Sequence, residues 1–326
     1  MNDVLNKWLI VGGAVILLLG FLVTYTFEHR ENSRDKWTEE EFIHIVNKYY
    51  MDSSGKIKSY GTVGNEEYLL ESMGLYMEWL SEHNRNKEIE KLVQTVQNEF
   101  VFYDSDETFL SWRIEKGKKE SANAWIDDAR ILSVLGPGHP LFKDITEGLI
   151  KHQIKDGLIM DFYDWKQKAA SERVVLSYGT IQNDWLPLEK MDDLYVEVST
   201  MGAPFYPEYY SIIEKSFIKL DEVHMVDQLL IATELEKKEL NNDEFWQWLK
   251  SEWKQHHLIA GRYDRSSKNG KGIESAAVYR IAAGLASLKG EDKLSEKWKD
   301  RGLQLVNQKD LKFDDIHFFD LISNAP

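Results

Sequence analysis

The 326-residue chain contains no cysteine, which excludes disulfides, thiolate metal sites and a thiol nucleophile together. Proline is scarce at six residues, so the chain is neither a proline-rich linker nor collagenous. Basic charge is also short. Forty Lys and Arg stand against 55 Asp and Glu, a net charge of −15, and such a surface argues against phosphate-driven binding of nucleic acid. No G-x-G-x-x-G or P-loop is present, and short extended stretches do not alternate with helices as βαβ units, so a nucleotide-binding sheet is not expected. No shared pattern recurs at the roughly 33–45-residue periods of ankyrin or TPR arrays. What is present suits a folded body: 43% apolar and 29% charged residues, over about two domain lengths of ~150 residues.

One run stands apart. From Trp8 to Phe27 twenty residues carry no charge. At 1.5 Å per residue they reach about 30 Å, enough for the hydrocarbon core of a bilayer. Trp8 and Tyr25 stand where interfacial aromatics belong. A cleaved secretory signal is the rival reading, but its apolar region is usually shorter, and no small-x-small site follows. The expected plan is therefore a head over 1–7, a single transmembrane anchor over 8–27, a charged linker over 28–36 and one domain over 37–326. Lys7 on one side faces Arg30, Arg34 and Lys36 on the other, so charge does not fix orientation. The short head and the missing cysteines favour an extracellular domain on the membrane of a Gram-positive bacterium.

The body reads as a succession of helices. Thr38 and Glu41 form a capping box ahead of Phe42, Ile45, Val46 and Tyr49 at helical spacing. Further helices are expected over 66–82, 87–100, 121–135, 141–155, 207–220, 222–239, 243–256, 274–289 and 292–308, each of ordinary globular length. Extended segments are expected at 109–114, 158–165, 174–178 and 258–263. The fold class is thus all-α with a few short strands, and paired helices can wrap into a toroid whose loops frame a cleft.

Glu71 is the first chemical candidate. Leu70, Met73, Met77 and Leu80 share a face of its helix, and a carboxyl among apolar and thioether groups is desolvated, raised in pKa and suited to donating a proton. Around it stand Asp52-Ser53-Ser54-Gly55-Lys56-Ile57 and Glu71-Ser-Met-Gly-Leu-Tyr-Met77. This resembles the D-G-R-V-like turn and S-E-G-x-x-Y-G-M signature of glycoside hydrolase family 8. Leu70 replaces the serine and Ser72 the glycine. Phe109-Leu-Ser-Trp-Arg113 is similar to the family's L-x-x-W-x strand. Ser121-Ala-Asn-Ala-Trp-Ile-Asp-Asp-Ala-Arg-Ile131 is similar to its S-A-x-D-A-D-x-D-I-A helix, with Asn123 at the first acid and the acids moved to Asp127 and Asp128. Pro204 to Tyr210 looks like a P-S-Y-x-x-P-x-x-Y segment, His224-Met-Val-Asp227 stands where the family carries its base, and Glu274 to Arg280 resembles a Y-D-A-x-R helix with Ala277 in place of the acid. The matches are spread from Tyr50 to Ala283.

The resemblance implies an (α/α)6 toroid and an inverting glycosidase without metal or organic cofactor. Glu71 would be the general acid and Asp227 the general base, separated by room for a water, about 6.5–9.5 Å. Asp127, Asp128, Trp112, Trp125, Tyr206 and Arg280 would bind the sugar, with Trp165, Trp185, Tyr209 and Tyr210 as further aromatic faces. The implied partner is an exopolysaccharide or cell-envelope glycan cut endo-wise beside its synthesis and export machinery, as in biofilm or capsule systems. A second reading keeps the toroid but makes it a catalytically degenerate glycan-binding or assembly protein, because Asn123 and Ala277 stand in place of acids. Other constellations dissolve. His256-His257 lacks a third ligand, the Asp264–Glu274 loop has Lys268 at a ligand position of a calcium site, and Ser216-x-x-Lys219 lacks companion motifs. The tryptophans of 244–253 fit an amphipathic outer helix.

Overall fold

In the computed structural model the chain is described over residues 36–326, apart from 105, 181–184, 203 and 309–310. The apolar run over 8–27 and most of the linker lie outside the described residues. No described helix is long and apolar enough to cross a membrane.

Eleven α-helices are described: α1 Glu39–Ile45, α2 Leu70–Glu82, α3 Asn86–Thr95, α4 Trp125–Leu135, α5 Pro140–His152, α6 Met191–Ser199, α7 Met225–Lys237, α8 Asp243–His256, α9 Ala276–Leu288, α10 Asp292–Val306 and α11 Phe318–Ser323. Helices α1 and α3 each continue through a wider π turn, Val46–Tyr50 and Val96–Phe100. The expected capping box closes α1: Thr38 N–H donates to Glu41 Oε2 at 2.8 Å, and Glu41 N–H donates back to Thr38 Oγ1 at 3.3 Å. Pro140 at the first position and His139 as cap start α5.

These elements sort into two layers. Helix α2 packs on α4, α4 on a 3₁₀ segment Leu176–Thr180, that segment on α7, α7 on α9, α9 on α11, and α11 back on α2. Six elements thus close an inner ring. Composition explains their place: α9 buries Ala276, Ala277, Val278, Tyr279, Ala282, Ala283, Leu285 and Ala286, so it is apolar around most of its circumference. The remaining helices alternate with the inner ones along the chain. Helix α3, with only Leu92 and Thr95 buried, shows the one-sided pattern of an outer helix. Gly302 of α10 lets this layer approach closely, since a Cβ there would meet the Ala276 carbonyl oxygen at 3.0 Å.

Short strands of two to four residues introduce the inner elements at one end of the ring, except α11, which follows a 3₁₀ turn at Phe313–Asp315. A belt of backbone hydrogen bonds ties them together. The first residue of an inner element donates to the connector that precedes the next one: Leu70 to Trp112 O, Trp125 to Asp161 O, Leu176 to Glu208 O, Met225 to Gly261 O and Phe318 to Ser59 O, all between 2.8 and 3.2 Å. At the remaining step the Ala277 N–H donates instead to the Asp320 carboxylate at 2.8 Å. The belt holds the N-termini of all six inner elements around one rim.

Two expectations need correction. Residues 207–220 are not a helix but an antiparallel pair, Tyr209–Ser211 with Ser216–Ile218. Adjacent tyrosines favour the pleated state, and Lys215 turns the chain with φ of 50°. The helix Met191–Ser199 was absent from the sequence reading although Met191, Leu194, Tyr195 and Val198 are its buried face.

Candidate active site

The rim encloses a cleft of about 700 Å³. Glu71, Trp112, Asp127 and Asp227 all line it, joined by Tyr178 from the 3₁₀ segment. The helices decide this convergence. Glu71 is the second residue of α2, while Asp127 and Asp227 are each the third of α4 and α7. First-turn carboxylates sit where unpaired N–H groups and the helix dipole favour negative charge.

The α2–α4 wall is crowded with charge. Arg130 Nη1 lies 3.1 Å from Asp127 Oδ1 and 3.8 Å from Glu71 Oε1, and its Nε lies 3.9 Å from Glu78 Oε2. Asp127 is 5% exposed. Burial raises its carboxyl to about 8, with the charge of Glu71 adding to the rise and Arg130 opposing it. Glu71 keeps 29% of its side chain open to the cleft. Of the cleft-lining carboxyls on this wall Asp127 is therefore the more deeply buried, where the sequence pointed to Glu71. Gly74 permits the contact between the two helices, because a Cβ there would stand 2.9 Å from Arg130 Cβ.

Across the cleft Asp227 meets a serine and a histidine. Ser177 Oγ–H donates to its Oδ1 at 2.7 Å, and His224 Nδ1 lies 3.0 Å from its Oδ2. Tyr178 links the walls. Burial raises its phenol well above the usual tyrosine value, and the charges of Asp127, Asp227, Asp161 and Glu71 push the same way. A fourth first-turn acid, Asp320, also lines the cleft, and its Oδ1 accepts from Ser275 Oγ at 2.6 Å as well as from Ala277 N–H, so that oxygen is committed to the belt.

The other residues singled out from the sequence stand elsewhere. Asp128 does not line the cleft: it is 1% exposed, held by Asn123 Nδ2 at 2.5 Å, and burial lifts its carboxyl well above the ordinary range. Trp125 is also 1% exposed and meets Trp185 edge-on at 6.3 Å. It is two residues from Asp127, about 200° around the helix, so it faces the core. Tyr206 is buried against Phe245 at 5.4 Å, beside a separate depression at the start of α8. Arg280 is exposed on α9, two residues beyond the cleft-lining Val278 and so on another side of the helix. Tyr178, Arg130, Ser177, His224 and Asp320 escaped the sequence reading; only the three-residue spacings Asp127–Arg130 and His224–Asp227 on their helices offered a signal. Among the described residues no three His, Asp or Glu converge to hold a metal ion.

No family model matches the chain. A Bacillus subtilis protein, YdaJ, named as a lipoprotein, is 28% identical over 253 residues, which are 71% of this chain and 68% of that one. The crystal structure of PssZ from Listeria monocytogenes superposes with a TM-score of 0.73 at 26% identity, covering 90% of this chain and 96% of PssZ. Endoglucanase Cel10 of Klebsiella pneumoniae, a family 8 glycosyl hydrolase, superposes with a TM-score of 0.57 at 13% identity, covering 86% and 96% of the two chains. The fold is a divergent form of the family 8 toroid.

Proposed function

We propose that this chain is a glycoside hydrolase that cuts a polysaccharide internally with inversion at the anomeric carbon. The observation that carries the reading is the meeting of Glu71 and Asp227, 156 positions apart in the chain, as first-turn acids of two inner helices on one cleft.

Each wall suits one half of the reaction. Inversion needs a proton for the departing glycosidic oxygen and, on the opposite face of the ring, a carboxylate that takes a proton from the attacking water. The α2–α4 wall stores a proton near neutral pH, since Asp127 stays largely protonated there. The proton held on Asp127 passes to Glu71, the member of that couple open to the cleft, which delivers it to the leaving oxygen. Asp227 has one oxygen fixed by Ser177 and the other by His224, an orientation that suits an acceptor of the water proton. Trp112 supplies an aromatic face at the cleft wall, where the apolar side of a sugar ring can lie. The residues present in the cleft suffice for this chemistry.

The setting follows from the same reading. The uncharged run over 8–27 anchors the chain, and the toroid works outside the cell on an exported or cell-envelope glycan beside its export machinery. Similarity to a protein named as a lipoprotein supports a place at the outer surface of the membrane. The test is to incubate the fragment after Lys36 with soluble polysaccharides and follow new reducing ends. Glu71→Gln and Asp227→Asn are each expected to lower the rate by about 10²–10⁴-fold. Undiminished release by either variant removes that residue from its role.

A further inference from the structure

A second depression lies outside the cleft, of about 300 Å³, and its walls include Phe102, Asp104, Lys119, Glu120, Trp165 and Lys166. It is built on a column of rings. Phe109 stacks on Trp165 at 5.4 Å and 18°, and Trp165 stacks on Phe102 at 5.2 Å and 16°. The first two rings are buried, at 5% exposure each, whereas Phe102 ends the column at 37%. Cross-strand pairing holds the ends together, with Phe102 opposite Phe109 in the hairpin Val101–Asp104/Glu107–Leu110. A rigid, near-parallel column that stops at an open ring presents a flat apolar platform whose ordering cost has already been met by folding.

The platform is tied to the cleft by one strip of backbone. Trp165 N–H donates to Ser121 O at 3.0 Å, and Trp112 N–H donates to Ala122 O at 3.1 Å. Ser121 lines the depression, while Trp112 and Ala124 line the cleft. Three residue steps of chain, at most roughly 10 Å, separate Ser121 from Ala124. The charges at the depression balance, Asp104 and Glu120 against Lys119 and Lys166, and Lys119 Nζ is committed to Val101 O at 2.8 Å. Such a rim offers donors and acceptors to hydroxyl groups without selecting a charged ligand.

We infer that this depression is a distal glycan subsite, in which Phe102 carries a neutral sugar of the same polymer whose other segment lies in the cleft. The inference rests on the glycosidase reading for its ligand, but its readout is separable. The subsite adds affinity for long chains and leaves the reacting bond untouched, so it acts on KM for polymer and spares kcat.

The experiment uses native gels containing one of three neutral polymers, hydroxyethylcellulose, arabinoxylan or glucomannan, together with hydrolysis rates on whichever polymer is cut. Phe102→Ala is expected to weaken retardation by the polymer about tenfold, the scale of one lost ring contact. It is also expected to raise KM for polymer by a similar factor, with kcat and the rate on a trisaccharide unchanged. Phe102→Leu, which keeps an apolar cover over Trp165, separates loss of the platform from damage to the hairpin and is expected to bind as weakly as Phe102→Ala. Wild-type retardation that Phe102→Ala leaves intact overturns the subsite, even if the chain hydrolyses the polymer. Absence of retardation by all three polymers overturns it too. Phe102-dependent retardation without hydrolysis sustains the subsite and overturns the glycosidase reading alone.

Discussion

Asp127 and Asp227 occupy the same place in their helices, third residue of an inner element after an extended connector, and both look into one cleft. Their surroundings differ. Asp127 is almost fully buried beside a second carboxylate, with one shared guanidinium as counter-charge, and it holds a proton up to about pH 8. Asp227 keeps 31% of its side chain exposed and accepts hydrogen bonds from a serine and a histidine. Helix position brought both acids to the rim, whereas the neighbours decided what each can do. In the proposed reaction the first wall would supply a proton and the second would accept one.

The comparison can be broken most forcefully through the leaving group. On a glycosyl fluoride, whose departure needs little protonation, Glu71→Gln should recover most of the rate that it loses on polymer, about 10²-fold or more, while Asp227→Asn should stay slow. Equal behaviour of the two variants, measured as fluoride release, would erase the distinction between the walls. Gly74→Ala probes the charged wall alone. The added methyl meets Arg130 at 2.9 Å and must displace it from Asp127 and Glu71, so a loss of about 1–3 kcal/mol in denaturant melts should accompany reduced turnover.

A smaller effect tests the other wall. Ser177→Ala removes the donor to Asp227 Oδ1 and should lower kcat roughly tenfold with little change in melting temperature. The last prediction concerns stability and pH. Asp127 titrates near 3.9 in the unfolded chain and about 8 when folded, so between those values the folded state binds the extra proton and stability falls as pH rises. That contribution is complete below pH 4 and lost through pH 8. Asp127→Asn removes it, so the variant should gain several degrees over wild type as pH goes from 5 to 8, with no further gain above. Melting curves at fixed salt decide this, and a pH-independent difference would overturn the proton held by Asp127.

Much of the ring was legible because helices carry a local signal. The capping box at Thr38, the apolar faces of α1 to α5 and α7 to α10, and the breaks between them can be read along the chain. Residues 207–220 misled because a short apolar run flanked by charge fits either period, and the strand Arg173–Val175 that pairs with Tyr209–Ser211 lies well outside any local window, Arg173 opposite Ser211 and Val175 opposite Tyr209. Glu71 and Asp227 were legible through motif resemblance. Tyr178, Ser177 and Asp320 were not, because each matters through a neighbour 43 to 50 or more positions distant, and no local pattern records such a contact.

By itself the sequence determined which segments coil, where they stop and which acids stand at helix starts, since capping, periodicity and helix breaking act over a few residues. Only the closed ring decided which of those acids share a cleft and which keeps its proton. That depends on burial and on charges from distant helices, and the distances between them exist only once the inner ring has closed.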